Sequence, residues 1–446
     1  MRSMKRILLI NPPIYDFSAY DFWLKPLGLL RVAAQLEPFA GLTLYDYLDR
    51  LDPSVSDAMP SDMYGRGHFP SQSIAKPPQF AKIPRRFHRF GLPREDFNNF
   101  LAENPPFDAA LIQTTMTYWY PGAAEVIGDL RRRCPETKIV LGGFYAQACP
   151  QHAQSLGADI VISTSDLSPL YDGLGIDGGA IEAASKQYRP PLWSAYPLLK
   201  TAAITLTSGC PFKCTYCWQG TFGPPFGHRP IEHCLQDIEL LLSRSVTDIA
   251  FYDDALLVEP QAILIPFLRH IIDNRLKINL HTPNALHANL ITPQLAELMT
   301  EAGFKTFYLG YESSSETFHR ETGGKIVPNR LKSAVESLIS CGFPRKNITA
   351  YAILGHPQTD LQQLADTMHF ANDLGIHVTL ADFSPIPGTP DGELCRKYVD
   401  LDEPLNHNKT AFPITFLGFD KVNQFKDLRH LLNNSLATCP NETIGG

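Results

Sequence analysis

Between residues 201 and 383, short apolar runs alternate with stretches of helical period. The strand-length runs are 201–207, 248–252, 277–280, 306–309, 348–354 and 377–383. Helical spacing of apolar positions falls at 231–243, 259–273, 292–302, 329–341 and 361–373. Strands that alternate with helices must lie parallel, each joined to the next by a crossover helix. Six such units suffice for an open, partial (β/α)6 barrel, whose functional loops stand at the carboxyl ends of the strands. The alternation therefore predicts both the architecture of 200–390 and the end at which its chemistry sits.

The first part of the chain carries the same alternation in a looser form. Apolar runs at 6–10, 42–45, 109–112, 138–141 and 159–162 bracket helical stretches at 26–37 and 121–133. This predicts an α/β fold overall, with an N-terminal doubly wound, Rossmann-like parallel sheet over 1–170. Gly142 and Gly143 close the fourth run, where the absence of side chains lets a ligand or a neighbouring chain approach the backbone. Residues 53–107 interrupt the sheet with nine prolines, so they cannot form one regular element. Arg85, Arg86 and Arg89 in that insertion would either clamp an anionic or planar group or staple the insertion onto the protein. The Gly- and Pro-rich stretch 171–199 reads as a linker, and 391–446 as an extension ending in a helix over 421–436.

The chain has 446 residues, enough for two cores, and a net charge of −7 with a pI near 6.1, which provides no general basic field for nucleic acid or anionic membrane. Nine cysteines without a secretory signal, and no apolar run near the length of a membrane span, predict a reducing, cytoplasmic setting.

Three of those cysteines, Cys210, Cys214 and Cys217, stand on eight residues directly after the first of the six strands and the turn Ser208-Gly209. Three thiolates can hold three corners of an iron–sulfur cube, whose four irons ordinarily take four cysteines, and so leave one iron open to a small molecule. A zinc knuckle would need a fourth ligand, which His228 or Cys234 could supply. A ferredoxin-like electron-transfer loop would need a fourth cysteine followed by proline, the form of Cys149-Pro150 and Cys439-Pro440. Cys234, Cys341 and Cys395 read as structural.

With Tyr216 before the last thiol, the spacing Cys-x3-Cys-x2-Cys resembles the signature of the radical SAM superfamily. The later strand ends carry the resemblance further. Tyr252-Asp253-Asp254 after the second strand resembles the turn that receives the amino group of S-adenosylmethionine. His281-Thr-Pro-Asn-Ala-Leu-His287 resembles a Pro-Asn-Gly-Leu loop, which turns Asn284 and His287 toward the substrate cavity. Gly310-Tyr-Glu-Ser313 resembles a Gly-x-Glu-Ser turn, with Glu312 on the ribose and Ser313 on the carboxylate of S-adenosylmethionine. Leu354-Gly-His-Pro-Gln-Thr-Asp360 resembles Gly-x-Pro-Gly-Glu-Thr with Gln358 in place of glycine, and Phe383-Ser-Pro-Ile-Pro-Gly-Thr389 ends the last strand.

The resemblance implies an enzyme. Cys210, Cys214 and Cys217 would bind a [4Fe-4S] cluster, S-adenosylmethionine would chelate its open iron, and Tyr216 would lie near the adenine. An electron from an external flavodoxin- or ferredoxin-type reductant would cleave the sulfonium, giving methionine and a 5′-deoxyadenosyl radical that attacks a small-molecule substrate. The N-terminal half resembles the cobalamin (B12)-binding domain that precedes many such cores, by Asn11-Pro-Pro13, Thr114 to Thr117 and Leu141-Gly-Gly-Phe144. It departs from that pattern in having no Asp-x-His-x-x-Gly loop, and Ser163-Thr-Ser-Asp166 replaces a Gly-Glu-rich turn. Two outcomes follow. With cobalamin the implied reaction is methyl transfer; without it the domain is a scaffold, and the reaction is a rearrangement, epimerisation or bond formation.

Overall fold

The computed structural model describes residues 4–55, 59–323 and 328–438. The chain divides into two compact units, Met1–Ala202 with Gln236–Val246 and Asp400–Asn408, and Ala203–Leu235 with Thr247–Val399 and Lys409–Gly446.

The first unit is built on five strands, β1 (Lys5–Asn11), β2 (Ala40–Asp46), β3 (Ala109–Thr114), β4 (Lys138–Gly143) and β5 (Ile160–Val161). They lie in the order β5-β4-β3-β1-β2, every pairing parallel. This order reverses direction at β1, the signature of a doubly wound sheet. Ile7, Leu8, Leu9 and Ile10 are fully buried, as a strand covered by helices on both faces requires. The helices Leu27–Leu36 and Tyr120–Arg133 each bury one apolar face.

The Pro-rich insertion supplies two strands, Ser71–Ile74 and Phe87–Phe90, which pair antiparallel with each other, and the second pairs with the short strand Ile14–Asp16. Arg89 is spent inside this unit. Its Nε and Nη2 donate to both oxygens of Glu125, and its Nη1 donates to the Leu92 carbonyl at 2.8 Å, with both side chains buried. Arg89 is therefore a staple.

The stretch expected as a linker is folded. It holds helices over Ser168–Leu174 and Gly178–Ser185, the latter capped by Asp177 accepting from Ala180 N at 2.9 Å. Leu170, Leu174, Trp193 and Tyr196 are buried. Scattered glycines and prolines hid the widely spaced apolar residues that anchor this stretch.

The second sheet takes its strands in chain order, β6 (Thr201–Ile204), β7 (Asp248–Phe251), β8 (Asn279–His281), β9 (Phe304–Glu312), β10 (Ile348–Leu354) and β11 (His377–Asp382), with the two-residue strand Leu286–His287 added beside β9. The pairings from β7 to β11 are parallel. Sequential order with parallel pairing is the open, partial barrel that the alternation predicts. The helix expected over 259–273 starts only at Leu264, because Glu259 takes the left-handed conformation (φ 48°) and Pro260 follows. The tail helix Phe419–Thr438 lies along the edge strand β11, where Asn433 exchanges hydrogen bonds with the N–H and C=O of Val378 at 3.0 and 2.9 Å. The side chain thus closes an otherwise open sheet edge.

Candidate active site

The cysteine loop is a closed structure. Thr207 and Ser208 pair antiparallel with His228 and Gly227, so the chain leaves and returns through one neck. Gly209 sits in that neck at φ 66°, where a Cβ would fall 2.2 Å from the Pro224 carbonyl oxygen. Inside the loop Cys217 N donates to the Cys214 carbonyl at 3.0 Å, which turns residues 214–217 tightly. Two further glycines wall in Cys214. A Cβ on Gly220 would lie 2.9 Å from Cys214 N, and one on Gly323 (φ 120°) would lie 2.9 Å from Cys214 Cα. Cys214 is buried while Cys210 and Cys217 are partly exposed, and none of the three is in a disulfide.

Among the described residues no three His, Cys, Asp or Glu side chains are grouped as around a single metal. Of the two alternative zinc ligands, His228 faces Glu259 at 3.6 Å and Cys234 is buried with its Sγ 3.9 Å from the Thr205 carbonyl. A tetrahedral zinc site needs four donors on one centre. A cube takes one thiolate at each of three separate irons. Three thiols on a pinned loop, with a backbone that leaves no room for side chains at three glycines, fit the cube. Cys439 of the ferredoxin-type alternative lies outside the described residues.

Each predicted strand-end residue has a definite place. Asp253, at the end of β7, is 5% exposed, and its Oδ1 accepts from Leu206 N (2.9 Å), Thr207 N (2.6 Å) and Thr207 Oγ1 (2.6 Å). One oxygen of this carboxylate is thus committed to the strand that leads into the cysteine loop. Tyr252 is partly buried and Asp254 is exposed. Asn284 donates to the carbonyls of Tyr252 and Asp253 at 3.1 and 3.4 Å, so it ties the turn after β8 to the turn after β7. The His287 ring packs at a tilt of 34° against Phe212 of the cysteine loop, with centroids 4.4 Å apart.

Glu312 is the strained residue of the site. It ends β9 at a register shift against β10 and holds φ at 64°, a conformation that costs a non-glycine residue roughly 1–3 kcal/mol. The strain turns a largely buried carboxylate at the strand end. Burial first, then the Glu312 carboxylate and the Cys214 and Cys217 thiols, push the phenol of Tyr216 well above its ordinary range. These four groups are therefore neighbours. Glu312 and Ser313 also line a cleft of about 250 Å³ together with Phe318, Gln358, Asp360 and Gln363.

Gly142 and Gly143 belong to the first unit. Gly143 (φ 103°) stands against β3, where a Cβ would be 2.1 Å from the Thr114 carbonyl oxygen, and Thr114 Oγ1 donates to the Gly142 carbonyl at 2.8 Å. The pair admits a neighbouring strand.

A family model described as the radical SAM superfamily matches residues 204–371, the region that holds the cysteine loop and β7 to β10. The chain carries a radical SAM domain. Two solved structures resemble the chain at the level of fold. The radical S-adenosylmethionine methyltransferase TsrM from Kitasatospora setae, solved with tryptophan substrate and a SAM analogue, is 14% identical with a TM-score of 0.63, covering 88% of this chain and 76% of its own. OxsB, a cobalamin-dependent S-adenosylmethionine radical enzyme solved with aqua-cobalamin and S-adenosylmethionine, is 12% identical with a TM-score of 0.55, covering 96% of this chain and 61% of its own. No curated protein matches in sequence.

Sequence reasoning missed three residues of the second unit. Thr215, His356 and Asp391 form a hydrogen-bonded chain behind the cysteine loop. Thr215 lies inside the thiol motif, and His356 and Asp391 lie in and just after the endings of β10 and β11. Their types signal nothing alone; only the fold brings them together. No helix among the described residues is long and apolar enough to cross a membrane.

Proposed function

We propose that this radical SAM enzyme binds a [4Fe-4S] cluster through Cys210, Cys214 and Cys217, binds S-adenosylmethionine at the strand ends of the second sheet, and uses cobalamin on the first unit for methyl transfer to a small molecule. A cluster of this kind, reduced by one electron, supplies cleavage of S-adenosylmethionine to methionine and a 5′-deoxyadenosyl radical. A flavodoxin- or ferredoxin-type donor would provide the electron. The observation that carries the reading is the pinned loop of three thiols, none of them in a disulfide, beside the strained Glu312.

In this reading the chain's own residues orient and exclude. Glu312 would accept from the ribose hydroxyls, and Ser313 would donate to the methionyl carboxylate. The carbonyls of the Tyr252 turn and the exposed Asp254 would receive the ammonium, while Asp253 holds that turn and the strand before the cysteine loop in register. Tyr216 remains a protonated phenol, a neutral wall that donates no charge to the site. Burying the reacting groups keeps water from a radical.

The cobalamin part is supported by the doubly wound sheet of the first unit and its likeness in fold to TsrM and OxsB. A second reading, without cobalamin, is favoured by how that unit's strand ends are used. Gly143 is filled by Thr114, and His152, after β4, is bonded through Nδ1 to the Tyr145 hydroxyl at 2.5 Å and packed edge-on to Tyr120. Anaerobic purification from cobalamin-supplied cells, with iron and cobalt measured on one sample, separates the two. About four irons and one cobalt per chain support the first. Iron without cobalt, after attempted reconstitution, supports the second. Neither metal would end both.

A further inference from the structure

Behind the cysteine loop lies a chain of polar groups that the proposed reaction does not use. Thr215, between Cys214 and the remaining thiol motif, donates its hydroxyl to Asp391 Oδ2 at 2.5 Å. The same oxygen is 2.9 Å from His356 Nε2. His356 is fully buried and Asp391 is 5% exposed. The tautomer of His356 follows from its other nitrogen. Gln358 N donates to Nδ1 at 3.2 Å, so Nδ1 carries no proton, and Nε2–H donates to Asp391. The ring is held edge-on among Tyr216, Phe318 and Phe383, at centroid distances of 6.1, 5.0 and 5.0 Å. A neutral imidazole therefore orients a carboxylate, and the carboxylate takes two donors on one oxygen.

The backbone of Thr215 is fastened as well. Its N–H donates to the Thr322 carbonyl at 3.1 Å, and its carbonyl accepts from Asp391 N at 3.2 Å. Thr322 precedes Gly323, the glycine against Cys214. One residue of the thiol loop is thus clamped through three of its polar groups, two of them by Asp391. Groups placed so close to an iron–sulfur cluster act on its geometry and on its charge, and a buried negative charge disfavours the added electron.

We propose that Asp391, oriented by His356, is a positioning residue for the cluster: through Thr215 it sets the conformation of residues 214–217, and its carboxylate lowers the cluster's reduction potential. The proposal rests on the iron–sulfur reading above.

The test uses full-length protein reconstituted anaerobically with iron and sulfide, followed by electron paramagnetic resonance during a redox titration and by iron release to a chelator. In D391N the charge is removed with little change of shape, and the midpoint potential moves positive. In T215V the carboxylate stays but its bond to the loop is cut, and iron is released about five-fold faster, the effect of one net hydrogen bond. Thermal unfolding of the same samples guards against a merely structural role, which would lower the melting temperature without moving the midpoint. A wild-type midpoint in D391N together with wild-type iron release in T215V overturns the proposal. If D391N does not accumulate as folded protein, T215V decides alone by the same criterion. Wild-type protein that takes up no cluster sinks the iron–sulfur reading and this proposal together, and is told apart by its iron content.

Discussion

Two carboxylates stand at matching places in the two sheets, and they are used differently. Asp46 ends β2 of the first unit, opposite Asn11 at the end of β1. It accepts from Asn11 Nδ2 at 2.7 Å, from Leu48 N at 2.8 Å and from the Tyr196 hydroxyl, and burial pushes its carboxyl up. These partners close the strand end on itself, and the nearby cavity, lined by Asn11, Lys25 and Thr114, measures about 20 Å³, room for about one water. Asp253 follows β7 of the second unit, and the donors to its Oδ1 come from Leu206 and Thr207, on the way into the cysteine loop. There the polar network fastens the loop that carries the three thiols. A site is made where bonded groups hold reactive ones in place.

Four experiments break or sharpen this contrast. Replacing Cys210, Cys214 or Cys217 by alanine should abolish iron uptake after reconstitution and end S-adenosylmethionine cleavage, while circular dichroism stays native; retained iron at wild-type level in any of the three would sink the ligand assignment. Matched glycine substitutions come next. G323A and G143A each force a left-handed alanine Cβ against backbone, at 2.9 Å from Cys214 Cα and 2.1 Å from the Thr114 oxygen, and each should cost roughly 1–3 kcal/mol. Only G323A should also lower iron occupancy, and equal iron loss in both would erase the distinction between the units.

E312Q keeps the shape of the strained residue and removes its charge. The expected result is about ten-fold weaker S-adenosylmethionine binding with unchanged iron, since hydrogen bonds to a charged group carry more than neutral ones; calorimetry on the reconstituted protein reads it, and unaltered affinity removes Glu312 from the binding site. The smallest effect is a pH dependence.

Burial raises Asp49 of the first unit to about 6. A folded pKa above the unfolded one means the folded state binds the proton more tightly, so stability from this group is present at low pH and falls as pH rises toward 6. Asp391 has the opposite sign: although burial opposes it, the bonds from His356 and Thr215 hold its carboxyl below the usual range, so its contribution is present near neutrality and is lost as pH falls through its folded value. Melting temperatures should therefore show D49N gaining on wild type between pH 4.5 and 7, and D391N losing ground to wild type as pH rises from about 2.5 to 4.5, across the ordinary carboxylate value of 3.8. Parallel curves for both variants would remove the electrostatic part of the comparison.

The alternation of apolar runs and helical stretches determined the two parallel sheets, because strand and helix periods are local and a crossover connection admits few topologies. The spacing of Cys210, Cys214 and Cys217 after a strand determined that three thiols share one loop, because residues that close in sequence cannot be far apart in space. Glu312 was legible as a member of the Gly-x-Glu-Ser turn, though its left-handed backbone was not. Gly142-Gly143 was legible as a close approach, but which partner filled it was decided by the pairing of β3 with β4. The stretch 171–199 was misread because its anchors, Leu174, Trp193 and Tyr196, follow no period. Only the tertiary structure decided that Asp253 serves the strand before the cysteine loop and that Thr215, His356 and Asp391 meet. Asp391 is separated from Thr215 by 176 positions. Hydrogen bonds across that distance depend on where β6, β10 and β11 end relative to one another, which is a property of the assembled sheet and of no local pattern.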